Sequence, residues 1–200
     1  MFADDTSLLC HNTDMSILKM NINNDLTLLS NWLKANKLSL NVEKSHYMIF
    51  SRKKDTPHDV DLRINEAKIC RVNNVKFLGI IVDESLNWRH HISHICKKLS
   101  KCIAIMYKIR SYIDVNTSIS LYYTLFYSYL TYCNIVWGNS CKSYLKPIVL
   151  LQKKMIRVTA GNRIYLEHTD PLFQKTKIMK FPVLHRYIVA RFMFEFHYLE

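Results

Sequence analysis

The run VKFLGIIVDESLNWRHHISHICKKLSKCIAIM, residues 75–106, contains a change in hydrophobic period that separates two kinds of predicted structure. Its first part, residues 75–83, is largely apolar and predicts a strand. From Trp88 onward the apolar residues recur every three or four positions, which predicts a helix whose lysines fall largely outside the apolar stripe. Within this run, the chain therefore changes from a strand-containing half to a helical half.

The residues on either side of this run predict further short strands and helices. A helix is expected after the capping residues 12–14, and a strand–turn–strand meander is expected over residues 62–72. Further predicted elements are short strands at residues 6–10 and 45–51 and helices at residues 117–136 and 144–159. Short antiparallel strands with one helix, followed by an all-helical region, define an α+β fold with segregated layers.

The charge of the chain is concentrated in its helical half. The chain has 28 Lys and Arg against 16 Asp and Glu, for a formal net charge of +12, and 49% of its residues are hydrophobic. That hydrophobic content excludes a disordered chain. Residues 89–166 contain twelve basic side chains and a single acid, Asp114, for a net charge of +11. This surplus, with the many aromatic residues, predicts a nucleic-acid partner, and simple solubility is the alternative.

Cysteines and apolar stretches bear on the cellular compartment. The six Cys residues form no Cys-x-x-Cys pair and no signal peptide precedes them, so we expect an intracellular protein, cytoplasmic or nuclear, that is not secreted. Residues 115–141 carry no charge and are long enough to span a bilayer. Their Tyr, Ser, Thr and Asn content is too polar for a lipid-facing helix, so we predict a helix buried in protein and no membrane partner.

Two groups of residues are candidates for metal chemistry. Asp4 and Asp5 are adjacent carboxylates behind an aromatic residue. Such a pair can hold Mg²⁺ when further carboxylates join it, although alone it is common on protein surfaces. His90 and His94 are four residues apart on a predicted helix, which suits two zinc ligands. Because no second Cys or His pair has matching spacing, we favour a polar helix face over a zinc site there.

Several motifs occur in the order found in one known family of polymerases. The aromatic-x-Asp-Asp motif at residues 2–5 is followed by the segment 38–50, by VKFLGI at 75–80 with Asp83, Leu86 and Trp88, and by segments at 89–98, 121–138 and 151–157. Together they resemble the reverse transcriptases of non-LTR retrotransposons of the LINE and jockey type. The resemblance spans residues 2–165, and its strength lies in motifs that follow one another with compatible gaps.

This resemblance implies a fold, an activity and a set of catalytic residues. Residues 1–84 would be part of a polymerase palm, residues 85–165 a basic helical thumb, and residues 166–200 a C-terminal extension of undefined fold. The implied activity is RNA-directed DNA synthesis, in which Asp4 and Asp5 hold Mg²⁺ for two-metal nucleotidyl transfer. Lys44 would protonate the pyrophosphate leaving group or neutralise its charge. The partners would be an RNA template, a DNA primer and, in the whole polymerase, dNTP.

Charge and resemblance together place nucleic-acid contacts in the second half of the chain. The segment 75–80 resembles the strand of the family that carries its primer grip. The lysines and arginines that follow lie mainly off the predicted apolar stripes, where they can meet phosphates. The predicted nucleic-acid-binding residues are Leu78, Gly79, Lys97, Lys98, Lys101, Lys108, Arg110, Lys153, Lys154 and Arg157.

The chain departs from the family pattern at its start. In the family the Asp pair is preceded by fingers, a third metal-binding Asp and a nucleotide-binding segment, whereas only Met1 stands before Phe2 here. We therefore expect a C-terminal polymerase fragment that has no polymerase activity by itself and binds Mg²⁺ weakly or not at all. The alternatives are a non-catalytic nucleic-acid-binding remnant and a decayed element product without function.

Overall fold

The computed structural model describes residues 6–51, 60–65, 67–161 and 168–198. The chain divides into two units, Met1–Val75 and Lys76–Glu200. The sequence placed a boundary at residues 84 and 85, between a palm and a thumb. The division into units falls before the segment 76–83, and the assignment of palm and thumb stays a prediction.

The first unit is built on helix α1, Met15–Ala35. The carboxylate of Asp14 caps its start by accepting hydrogen bonds from the backbone N–H groups of Ser16 and Ile17. Asn36 ends it, and Lys37 follows with a φ of 57°, a left-handed conformation that is common after a helix. The helix expected after residues 12–14 is therefore confirmed.

Short strands accompany α1. A hairpin turns at Asn65, which has a φ of 47° and whose side-chain oxygen accepts hydrogen bonds from Ser30 Oγ at 2.7 Å and Lys34 Nζ at 3.1 Å. This contact joins the turn to α1, and a small core of Leu26, Leu62, Ile64 and Ile69 lies beneath it. The strands are β1 His46–Tyr47, β2 Arg63–Ile64, β3 Ala67–Lys68 and β4 Cys70–Arg71.

Three expectations for this unit are wrong. Residues 6–10 form no strand, and the strand expected over 45–51 is only two residues long. In addition, β1 pairs with β4 in parallel, whereas antiparallel strands were expected. The residue types at 6–10 and 45–51 favour an extended backbone. A strand forms, however, only where a second strand supplies hydrogen-bond partners for its N–H and C=O groups. Among the described residues, none supplies that pairing to residues 6–10.

A β-hairpin forms where the sequence predicts one continuous strand over 75–83. Strand β5, Asn74–Phe77, pairs with strand β6, Ile80–Asp83, and Leu78 and Gly79 form the turn between them. Both turn residues have positive φ angles, 45° and 82°, which match the two-residue turn that suits the twist of a hairpin. Leu78 and Gly79 therefore lie in a turn, and placing them in a strand was wrong.

Most of the remaining described residues of the second unit are helical. The helix expected over 117–136 is interrupted, because its middle is a π-helical turn, Tyr122–Tyr127, and Cys133 breaks it with a φ of 48°. Helices also form in the C-terminal segment whose fold the sequence left undefined. In order they are α2 Arg89–Ile109, α3 Val115–Leu121, α4 Ser128–Thr131, α5 Asn134–Trp137, α6 Lys142–Thr159, α7 Asp170–Thr176 and α8 Phe181–Tyr198.

The core of this unit lies between α2, α6 and the interrupted helix, and its largest fully buried side chains include Trp137, Tyr122 and Phe126. Gln152 of α6 is buried there and ties α6 to the C-terminal helices. Its amide donates to Tyr122 Oη and to the Met179 carbonyl, both at 2.9 Å, and its carbonyl accepts from the Phe181 N–H at 2.8 Å. Among the helices of the described ranges, none combines the length and the apolar character that crossing a bilayer requires.

Candidate nucleic-acid interface

One face of α2 is basic along most of its length. The buried side of this helix carries Ile92, Leu99 and Met106. With 3.6 residues per turn, positions 90, 94, 97, 101 and 108 fall on the opposite side. The side chains of Lys97, Lys101 and Lys108 are exposed there, and Lys98 is half-buried at the edge of this face. These residues, His90, His94, Lys97, Lys98, Lys101 and Lys108, are called the α2 basic face below.

The hairpin adds a cation to this face. The pKa of His94 is lowered, first by burial and then by the positive charges of Lys98, Lys76 and Lys97. Lys76 belongs to β5, so two separate elements bring three lysines within electrostatic range of His94. His94, Lys97, Lys98 and Lys101 also lie within two turns of α2, on an open part of the surface. Crowded like charges repel, and a polyanion on this surface would relieve the repulsion.

Helix α6 carries a second basic face. Lys154 is exposed and Lys153 and Arg157 are half-buried, on the side opposite the buried Gln152 and Met155. Lys153 is not surrounded by cations alone. The pKa of Asp170 is lowered first by its hydrogen bond from Lys180 and then by positive charges that include Lys153. That the basic faces of α2 and α6 form one continuous surface stays a prediction.

The end of α2 holds the last residue of the predicted set. Arg110 caps the C-terminus of α2, and its guanidinium lies 4.9 Å from the ring centre of Tyr107. This cation–π contact orients the guanidinium at the surface while leaving its charge exposed to solvent.

The tip of the hairpin exposes apolar side chains beside the basic face. Val75, Phe77 and Leu78 are all exposed, and Lys76 lies between them in the sequence. The Leu78 carbonyl accepts a hydrogen bond from Tyr132 Oη at 2.6 Å. The ring of Tyr132 lies so close to Gly79 that a Cβ there would be only 3.3 Å from it. The tip thus combines exposed apolar surface with a backbone that is held in place.

A buried carboxylate connects the hairpin to α2. Asp83 ends β6 and is only 4% exposed. Its Oδ1 accepts from the N–H groups of Ser85 at 3.1 Å and Asn87 at 3.3 Å, and its Oδ2 accepts from the Trp88 N–H at 3.0 Å. Leu86 and Trp88 both have positive φ angles, 51° and 64°, which non-glycine residues rarely adopt. The three hydrogen bonds hold this loop in an otherwise unfavourable conformation.

Sequence reasoning did not identify the roles of Lys76, Asp83, His91 and Tyr132. His91 faces away from the basic face, and its Nδ1 accepts from the Ile81 N–H at 3.3 Å. Burial, followed by the charge of His94, lowers the pKa of His91 to about 4, so the ring is neutral at pH 7. The spacing of Asp83, Leu86 and Trp88 was visible in the sequence. No sequence pattern there indicated that the Asp83 carboxylate accepts hydrogen bonds from the loop backbone. The contact of Tyr132 with Leu78 crosses 54 positions and has no local signal.

The helical spacing of the tyrosines at positions 122, 123, 127, 129 and 132 predicts that most of them fill the core, and for most of them this prediction is wrong. Tyr122 is fully buried and Tyr127 is half-buried, whereas Tyr123, Tyr129 and Tyr132 are exposed. The interrupted helix is irregular, so helical spacing in the sequence does not place these rings on one inward face. Exposed aromatic rings are therefore available at the surface of this unit.

The predicted catalytic residues are only partly placed. Asp4 and Asp5 lie outside the described residues. Lys44 ends a short 3₁₀ helix, Val42–Lys44, in the first unit, and its side chain is exposed. Within the described ranges no three His, Cys, Asp or Glu side chains come together as a metal site, and His90 and His94 gain no third ligand there.

Three curated polymerases of mobile elements are similar to this chain. The chain is 27% identical over 143 residues to the probable RNA-directed DNA polymerase from transposon X-element of Drosophila melanogaster. The aligned residues make up 70% of this chain and 16% of that relative. It is 25% identical over 173 residues to the RNA-directed DNA polymerase from mobile element jockey of Drosophila funebris, and this alignment covers 84% of the chain and 19% of the relative. It is 22% identical over 174 residues to the probable RNA-directed DNA polymerase from transposon BS of D. melanogaster, and this alignment covers 84% of the chain and 19% of the relative.

These matches confirm the resemblance that the motifs indicated. The chain is related to the RNA-directed DNA polymerases of non-LTR retrotransposons of the jockey type. It spans less than a fifth of the length of the curated relatives it matches. No family model matches the chain, and no solved structure matches it significantly.

Proposed function

We propose that this chain is a segment of an RNA-directed DNA polymerase of a non-LTR retrotransposon, and that its second unit binds the duplex of template and primer. The observation that carries the proposal is the cation cluster of Lys76, Lys97 and Lys98 around His94, where the hairpin meets the α2 basic face. In the polymerase, the second unit would act as the thumb and the hairpin tip as the primer grip.

Electrostatics supports a phosphate backbone as the ligand of this surface. The exposed lysines of α2 recur along one side of a helix of 21 residues, which is about 30 Å long. A duplex carries one negative charge for about every 1.7 Å of its axis, so several phosphates lie within reach of such a face. Lysine ammonium groups recognise charge rather than base edges, and we therefore expect binding with little sequence preference.

The chemical step is proposed for the whole polymerase and rests on the family resemblance. Asp4 and Asp5 would hold Mg²⁺, which supplies Lewis-acid stabilisation for nucleotidyl transfer from a dNTP. The exposed ammonium of Lys44 would be free to meet the negative charge of the pyrophosphate leaving group. Both assignments concern the first unit, so duplex binding by the second unit is separable from them.

The salt dependence of duplex binding tests the proposal. With four to six phosphates neutralised, the slope of log K against log salt concentration should be about −3 to −6. Replacing Lys97 and Lys101 with Gln should reduce the magnitude of that slope by about 2, because each lysine releases about 0.9 of a counterion. The matched control replaces Lys19 and Lys37, which are exposed in the first unit, and should leave the slope unchanged.

Two results would contradict this assignment. Affinity independent of salt would mean that the basic face only keeps the chain soluble, and equal losses in both double variants would show that only net charge matters.

A non-catalytic nucleic-acid-binding protein is the second candidate, favoured by the location of the basic faces in one unit. Primer extension with the complete polymerase separates the two, because Asp4→Ala should abolish incorporation and leave duplex binding unchanged. Incorporation that survives this substitution would remove Asp4 from the proposed metal site.

A further inference from the structure

Tyr132 makes an unusual contact for a side chain that is half exposed. Its solvent-exposed fraction is 51%, yet its hydroxyl donates to the Leu78 carbonyl at 2.6 Å, a short hydrogen bond. Its ring also covers Gly79, where a Cβ would lie 3.3 Å from Cε1. One tyrosine therefore holds the hairpin turn by both a polar and a packing contact.

Tyr132 is itself held at its backbone. Its N–H donates to the Ser128 carbonyl at 3.1 Å, and its carbonyl accepts from Nε1 of Trp137 at 2.9 Å. Helix α4 ends at Thr131 with Tyr132 as its cap, and Cys133 follows with a φ of 48°, so the chain turns and brings Trp137 back to Tyr132. Because Trp137 is fully buried, this anchor lies in the core of the unit.

The same tryptophan anchors the hairpin at a second point. The His91 ring meets Trp137 edge to face, with ring centres 5.7 Å apart. His91 Nδ1 accepts from the N–H of Ile81 in β6, next to the turn. The hairpin is thus tied to Trp137 through Tyr132 at its turn and through His91 at its second strand.

We propose that Tyr132 is a positioning residue that fixes the Leu78–Gly79 turn where the hairpin tip meets the nucleic-acid backbone. The positioning itself follows from the contacts within the second unit, and its role in polymerase action rests on the proposed function above. The two positive φ angles of the turn allow close approach of the ring, and the hydroxyl fixes the carbonyl that the turn leaves outside the strand ladder.

Hydrogen exchange without nucleic acid tests the positioning. In the Tyr132→Phe variant, the segment 77–81 should exchange about five- to tenfold faster, as expected for the loss of one hydrogen bond. Tyr129→Phe is the matched control, because Tyr129 is a similarly exposed tyrosine of the same region, and its exchange should equal that of the parent. Equal exchange in the two variants would overturn the proposal whether or not the chain binds nucleic acid.

Site-specific crosslinking tests the consequence for binding. A benzophenone side chain introduced in place of Leu78 should crosslink to one or two neighbouring nucleotides of a defined primer–template duplex. Adding Tyr132→Phe should spread the crosslinks over several nucleotides while the salt slope of binding stays that of the parent. A sharp, unchanged crosslink pattern despite faster exchange would overturn the positioning role in binding. Absence of any duplex binding in the parent would instead contradict the proposed function, and the exchange result would still stand.

Discussion

Replacing Asp83 with Asn should destabilise the second unit although the two side chains have the same shape. The three backbone N–H groups around the carboxylate approach both of its oxygens, at 3.0–3.3 Å. If the Asn oxygen remains beside Ser85 and Asn87, its NH₂ group faces the Trp88 N–H, and two donors then oppose each other. If the amide is reversed, two N–H groups lose their acceptor instead.

The expected magnitude follows from counting these hydrogen bonds. One donor without an acceptor at a buried site costs about 1–3 kcal/mol, and the hydrogen bonds that remain weaken because a neutral oxygen replaces a charged one. The free energy of unfolding should therefore fall by about 2–4 kcal/mol. With a urea dependence of about 2 kcal/mol per molar, the midpoint of unfolding should fall by about 1–2 M.

Tryptophan fluorescence during urea unfolding measures this change. Trp88 and Trp137 lie in the second unit, so a Trp32→Phe background makes the signal report on that unit alone. Asp114→Asn is the matched control. Asp114 caps α3 through the N–H groups of Asn116 and Thr117, and Asn caps helices as well as Asp does. An unchanged midpoint in Asp83→Asn would refute the inference that these hydrogen bonds hold the loop.

Two further predictions concern residues around the hairpin. Gly79→Ala should lower the free energy of unfolding by about 1–2 kcal/mol, because a φ of 82° is unfavourable for alanine and its methyl group would lie 3.3 Å from the Tyr132 ring. Urea titration checks this, and an unchanged midpoint would contradict it. The pKa of His91 is about 4 in the folded chain and about 6.5 in the unfolded chain, so the unfolded chain binds the proton more readily. The free energy of unfolding should therefore fall as the pH decreases from about 6.5 to 4. Comparing midpoints at pH 7 and pH 5 should show a smaller loss in His91→Asn than in the parent, and equal losses would remove His91 as a cause.

The main helices could be predicted from the sequence because their signals are local. The capping side chain of Asp14 lies directly before α1, and the apolar stripe of α2 repeats within single turns of the helix. The basic face of α2 follows from the same periodicity, since a lysine off the apolar stripe must lie towards solvent. The family resemblance also came from short motifs in order, and its catalytic pair, Asp4 and Asp5, stays a prediction.

The hairpin and the cation cluster were decided by tertiary structure. Residues 75–83 are apolar enough for one strand, but the backbone reverses at Leu78. The positive φ of this leucine cannot be predicted from its residue type. The contacts that accompany this reversal come from Tyr132, far along the chain, and from Asp83 in the following loop. Lys76 joins the α2 basic face only because of that reversal.

Local sequence patterns were enough to predict the main helices α1, α2 and α6, the charged face of α2, and the polymerases that the chain resembles. Each of these depends on side chains within a few turns of one another, whose spacing the chain carries directly. The position where the chain reverses and the charges that come together follow from long-range contacts. Those features are stabilised by hydrogen bonds and packing between residues tens of positions apart, and the free energy of such contacts outweighs the local preference for a continuous strand or helix.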